Sequence, residues 1–139
     1  MIKDVTASLH ELDAVAAYLA ATLPSHAVIF LRGDLAAGKT TLVQAIARSR
    51  GIEGAATSPT FSLQHAYGEG LYHYDLYRIS QEAFMQMGLF EELEHPGWHL
   101  VEWGGAALET LIAATGLTWC VVEITPEDTR RHYHIQLSE

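Results

Sequence analysis

Apolar residues along this chain recur at two spacings, and each change of spacing marks an element. Leu12, Val15, Ala16 and Leu19 fall on one helical face. Ser8-Leu9-His10-Glu11 ahead of them is a capping-box pattern, so a helix is expected to open there and run to about Ala21, where Pro24 and Ser25 break it. Ala27 to Leu31 is a continuous apolar, partly β-branched run, as a buried strand would be. From Lys39 the helical stripe returns through Leu42, Val43, Ile46 and Ala47, until about Arg50, and Gly51 ends it. Gly54 to Pro59 has turn composition. Thr60 to Tyr67 alternates as a strand does, and Gly68 and Gly70 bracket a short connection to the run Leu71 to Leu76, which predicts a hairpin.

Helical composition resumes from Ser80 through Met87. The acidic run Glu91, Glu92 and Glu94 before Pro96-Gly97 reads as a solvated face. Trp98 to Trp103 is a further apolar strand, Ala106 to Ala114 a short helix, and Trp119 to Thr125 and His132 to Leu137 two closing strands. Strands alternating with helices, then strands alone, predict an α/β sandwich with a mixed sheet. With 139 residues and no internal repeat, the chain is expected to be a single domain spanning 1–139.

Charge narrows the partners. A net charge of −9 disfavours direct nucleic-acid binding by this chain alone, because counterion release needs clustered Lys and Arg. Lys3 and Lys39 are the only lysines. Cys120 is the single cysteine, so no disulfide forms within the chain, which is compatible with a reducing compartment. No apolar run is long enough for a signal peptide or membrane span, and a cytoplasmic protein is the default expectation.

Gly33 to Thr40 reads G-D-L-A-A-G-K-T and fits the phosphate-binding pattern G-x-x-x-x-G-K-[ST] at every fixed position. The chemistry is local. A glycine-rich turn aims backbone N–H groups at phosphate oxygens, Lys39 brings a charge to the β/γ-phosphates, and the Thr40 hydroxyl can ligand Mg²⁺. The apolar run before it and the helical stripe after it supply the strand-loop-helix context. Hydrolysis or transfer also needs an acid for Mg²⁺ and a group that orients the attacking water. His99-Leu100-Val101-Glu102-Trp103 offers Glu102 at the tip of an apolar strand, like a Walker B element with Glu in place of Asp. Asp75 ends the aromatic-rich strand Tyr72-His73-Tyr74-Asp75, where a carboxylate can hold or polarise water. His73 shares its face, and a structural hydrogen bond is expected of it. Thr57-Ser58-Pro59-Thr60-Phe61 occupies the chain position of a switch loop. His132 and His134 share a strand face but lack further ligands for a metal, and Trp98, Trp103 and Trp119 read as core or interface aromatics.

In this order, G-D-L-x-A-G-K-T-T, S-P-T-F, Y-H-Y-D-L-Y-R and L-V-E-W closely resemble the TsaE (YjeE-type) family of small bacterial P-loop ATPases. The resemblance implies a P-loop NTPase-like three-layer α/β sandwich with a mixed, mostly parallel sheet. It also implies an ATPase that uses ATP and Mg²⁺ and assists threonylcarbamoyladenosine (t6A) formation on tRNA. The synthesis itself falls to TsaB and TsaD homologues, so tRNA is met only through that complex. Carried over by position, Gly33 and Leu35, Ala36, Ala37, Gly38, Lys39, Thr40 and Thr41 wrap the phosphates. Thr40 and Glu102 serve the metal, Asp75, Lys39 and Glu102 the catalysis, and Ser58 and Thr60 the switch-like loop. Ser8 or Leu9 and Thr129-Arg130 would hold the adenine. Ala36 stands where many relatives have glycine, and Thr129-Arg130 where Gly-Arg is common. A slow ATPase stimulated by partners is thus the leading expectation, against a small-molecule kinase or a nucleotide-gated binding module without turnover.

Overall fold

The computed structural model describes residues 1–34, 38–52, 64–68, 70–77 and 79–138. Among them are seven strands: β1 (Ile2–Ala7), β2 (Ala27–Arg32), β3 (Gln64–Gly68), β4 (Leu71–Asp75), β5 (Trp98–Glu102), β6 (Thr118–Glu127) and β7 (Arg130–Leu137). They form one sheet in the order β1-β7-β6-β2-β5-β4-β3. The central pairs β6–β2, β2–β5 and β5–β4 are parallel, while β1–β7, β7–β6 and β4–β3 are antiparallel. Five α-helices accompany it: α1 (Leu12–Thr22), α2 (Lys39–Ser49), α3 (Gln81–Gln86), α4 (Leu89–Glu92) and α5 (Gly105–Thr115).

The pleat sends alternate side chains into two cores. Ala27, Ile29 and Leu31 of β2 meet Leu100, Cys120 and Val122 and the buried stripes of α1 and α2. Val28 and Phe30 face the other way, onto Phe84, Leu89, Leu108 and Ile112 of α3, α4 and α5. Helix, sheet and helix therefore make three layers around a mixed sheet that is parallel in its centre, as expected. The apolar faces of α1 and α2 seen in the sequence are the buried ones.

Several boundaries differ from expectation. The capping box is present, with the Ser8 N–H donating to Glu11 Oε1 at 3.0 Å, but it opens a 3-10 turn, Leu9–Glu11, before α1 begins. Strand β1 has no counterpart in the sequence reading. Met1 to Asp4 are exposed and only Ala7 is buried, so no apolar alternation announces it. The acidic run lies on and just after the four-residue α4, with Glu91 and Glu94 exposed. The predicted hairpin exists as β3–β4, but positions 60–63 of its first arm lie outside the described residues.

Candidate functional site

Three parallel strands end at one edge of the sheet, and their register decides which side chains meet there. Asp75 of β4 is the neighbour of Glu102 of β5, and Leu31 of β2 adjoins Glu102 on its other side. Because side chains alternate, His73, Asp75, Leu100 and Glu102 all project from the face that packs α1 and α2. The crevice outside the carboxyl ends of parallel strands is the usual ligand position in α/β sheets. Helix α2 starts at this edge, capped by Gly38 in the left-handed region (φ 101°).

Lys39, the first residue of α2, is almost wholly buried. Its Nζ donates to the Gly33 carbonyl at 2.7 Å and lies 3.8 Å from the centroid of the Trp103 ring. Burial pushes its pKa below the usual lysine value, while the charges of Glu102, Asp75 and Asp34 pull it back up. Thr40 and Thr41 follow on the first turn of α2, both half-buried. Glu102 is buried, and the His73 Nε2–H donates to its Oε2 at 2.5 Å. His73 is itself fully buried, with its Nδ1 unpartnered among the described residues. Asp75 is half-buried and accepts the Tyr77 N–H on Oδ1 at 3.1 Å.

The structure thus brings Lys39, Asp75 and Glu102 together where β4, β5 and the start of α2 meet. Leu35, Ala36 and Ala37, and Ser58 and Thr60, lie outside the described residues, and with them the question of the backbone at position 36.

A cavity of about 190 Å³, linked to Gly38 through the Arg131 side chain, is lined by Ala7, Leu9, Pro126, Asp128, Thr129, Arg130 and Arg131. The turn after β1 and the β6–β7 hairpin meet there, which brings Leu9 to Thr129 and Arg130. Ser8 adjoins this cavity in sequence without lining it. Arg130 also helps hold the Glu11 carboxyl below its ordinary pKa, after the dominant bonds from Ser8. A larger cleft of about 490 Å³ opens beside Lys39 on the β2–β6 side, between Asp34, Trp103, Gly105, Glu123 and Pro126.

Three residues gain roles that sequence reasoning missed. His73 makes the structural hydrogen bond expected of it, but its partner is the candidate metal acid. Of the core or interface roles expected of Trp103 the core one does not hold: it stands at a left-handed φ of 62°, partly exposed, against the Lys39 ammonium. Arg131 rather than Arg130 packs against Gly38. Strand parity was the available signal, since 131, 133 and 135 share the face of α1 and α2. Trp98 fits its expected core role, donating its indole N–H to the Pro24 carbonyl at 2.9 Å. His132 and His134 both hydrogen-bond Asp4 Oδ1, at 2.9 and 2.7 Å. Among the described residues no group of three His, Cys, Asp or Glu is disposed to hold a metal ion.

Known proteins share both the sequence and this architecture. Residues 6–133 match the family model described as threonylcarbamoyl adenosine biosynthesis protein TsaE. Three relatives bear the name tRNA threonylcarbamoyladenosine biosynthesis protein TsaE. The Synechocystis protein is 52% identical over 45% of this chain and 41% of its own length. The Nostoc protein is 44% identical over 61% and 57%, and that of Bacillus subtilis 38% identical over 76% and 68%. The matched stretches therefore span about half the length of the first two. The crystal structure of Bacillus subtilis YdiB superposes on all of this chain and 88% of its own, with a TM-score of 0.68 at 28% identity. A family match across most of the chain, carried on the same fold, places it: the chain belongs to the TsaE family of threonylcarbamoyladenosine biosynthesis proteins.

Proposed function

We infer that the chain is a Mg²⁺-dependent ATPase that serves t6A formation on tRNA through a complex with TsaB and TsaD homologues. The observation that carries this is the convergence of Lys39, Asp75 and Glu102 at one sheet edge, where both acids act electrostatically on the lysine. The donor set suits the metal: Thr40 and Glu102 offer hard oxygen ligands, and His73 fixes the Glu102 carboxylate as outer-shell partners commonly do. Bound Mg²⁺ would neutralise charge on the phosphate oxygens. Lys39 would leave the Gly33 carbonyl and Trp103 for the β/γ-phosphates. Asp75, on the same face and one strand away from Glu102, would orient the water whose oxygen bonds to the γ-phosphorus as the bond to ADP breaks. The cavity at Leu9, Thr129 and Arg130 would receive the adenine.

ATP binding and turnover, measured alone and with TsaB and TsaD homologues, test the reading. Lys39→Ala should abolish binding, whereas Asp75→Ala should bind ATP normally and lose turnover by about 100-fold or more. Normal turnover by Asp75→Ala would remove its catalytic role, and absence of stimulation by folded partners would count against the complex. The 490 Å³ cleft beside Lys39 would suit an acceptor-binding kinase. A phosphorylated small product made from labelled ATP would establish that alternative.

A further inference from the structure

The β6–β7 hairpin carries two adjacent arginines, and alternation separates their surroundings. Arg130 is exposed beside Glu11. Arg131 turns to the opposite face, half-buried between the cavity at Leu9 and the start of α2. Its guanidinium packs against Gly38: a Cβ built there would stand 2.5 Å from Nη1 and 2.7 Å from Cζ. The positive φ of 101° is what requires glycine at position 38, since the guanidinium, at the end of a flexible side chain, could shift aside. Arg131 Nη1 is inaccessible to solvent and has no hydrogen-bond partner among the described residues. The Tyr133 hydroxyl is its neighbour: burial raises the hydroxyl's pKa, and the charge of Arg131 and a weak hydrogen bond with it lower it, although neither atom has a partner at ordinary hydrogen-bond geometry among the described residues.

A guanidinium nitrogen shut off from water without a well-formed hydrogen bond is costly, and a ligand that brings an acceptor relieves that cost. Here the guanidinium borders both the cavity and the residue that precedes the phosphate-binding lysine. We propose that Arg131 is a phosphate-contacting residue supplied by the C-terminal hairpin, bridging the nucleoside cavity and the α2 N-terminus. The adenine contact expected of this hairpin would fall to Thr129 and Arg130, and Arg131 would read the polyphosphate. The planar fork suits a phosphate better than a lysine ammonium does. This rests on the nucleotide-binding reading above.

Binding of ATP, ADP and adenosine to the full chain, by calorimetry, separates the two. Arg131→Gln should weaken ADP and ATP by about 10- to 100-fold, the range of a charge-assisted hydrogen bond, and leave adenosine affinity unchanged. Arg131→Lys should recover part of the loss, which a purely structural role would not predict. Thermal unfolding of each variant shows whether it folds. Equal ADP affinity in wild type and a folded Arg131→Gln would overturn the proposal while the ATPase reading stood. Equal losses for adenosine and ADP would also overturn it, as a packing effect. Failure of wild type to bind ATP would instead overturn the underlying reading.

Discussion

His73 shows how one buried side chain can set the chemistry of another. It sits two residues before Asp75 on the same strand face, and across the ladder it donates to Glu102. Outer-shell partners of metal-binding carboxylates are worth about 10- to 100-fold in metal affinity. His73→Ala should therefore raise the Mg²⁺ concentration for half-maximal hydrolysis by that factor, with metal-free ATP binding unchanged and His73→Gln restoring part of it. An unaltered Mg²⁺ dependence would return His73 to a packing role. The sequence located the pair by their shared face but could not name the partner, because cross-strand neighbours depend on register.

Among elements, the close meeting of Gly70 and Gly97 sets how β4 and β5 start. A Cβ on Gly97 would lie 2.3 Å from the Gly70 carbonyl oxygen, and its φ is 137°. That same oxygen accepts the Trp98 N–H at 2.7 Å, so it cannot retreat without losing the first bond of the ladder. Gly116 has a comparable positive φ of 81° but open space around it. Gly116→Ala should cost only the backbone term, about 1–2 kcal/mol, and Gly97→Ala distinctly more, as read from urea midpoints. Equal costs would show that the backbone contact yields freely. Legibility followed similar lines. Helices α1, α2 and α5 and strands β2, β5, β6 and β7 were readable because burial imposes a period on them. β1 was not, since an edge strand exposing Lys3, Asp4 and Thr6 is specified by its pairing with β7. In the candidate site, Lys39, Asp75 and Glu102 were readable from motifs at strand and helix ends. Trp103 was not, because a left-handed φ leaves no local pattern, and Arg131 could be told from Arg130 only by its strand parity.

Across the whole molecule, a polar chain runs through the second core. Gln64 of β3 donates to the Tyr74 hydroxyl at 3.1 Å, Tyr74 to His99 Nδ1 at 2.7 Å, and His99 Nε2–H to the His95 carbonyl at 2.7 Å. Both nitrogens of His99 are committed in the neutral ring, and burial pushes its pKa down to about 4 from 6.5. The unfolded chain therefore binds a proton between those values that the folded one does not. Stability from this group is complete above pH 6.5 and lost as pH falls toward 4, by at most about 3 kcal/mol. Urea midpoints should drop over that window in wild type and less so in a folded His99→Gln variant. An identical drop in both would assign the acid sensitivity elsewhere.

Trp103 has a consequence of another kind. Its indole gives the Lys39 ammonium a face to rest on, and such contacts are worth about 0.5–2 kcal/mol. The molecule at rest thus carries its own weak competitor for the lysine, set on a residue with a left-handed backbone that itself stores strain. A ligand with several negative charges easily displaces an aromatic face, whereas a neutral one does not. On the proposed nucleotide reading, the indole would act as a threshold on charge: an uncharged nucleoside in the cavity near Leu9 would leave the contact intact, whereas a polyphosphate would compete for the lysine.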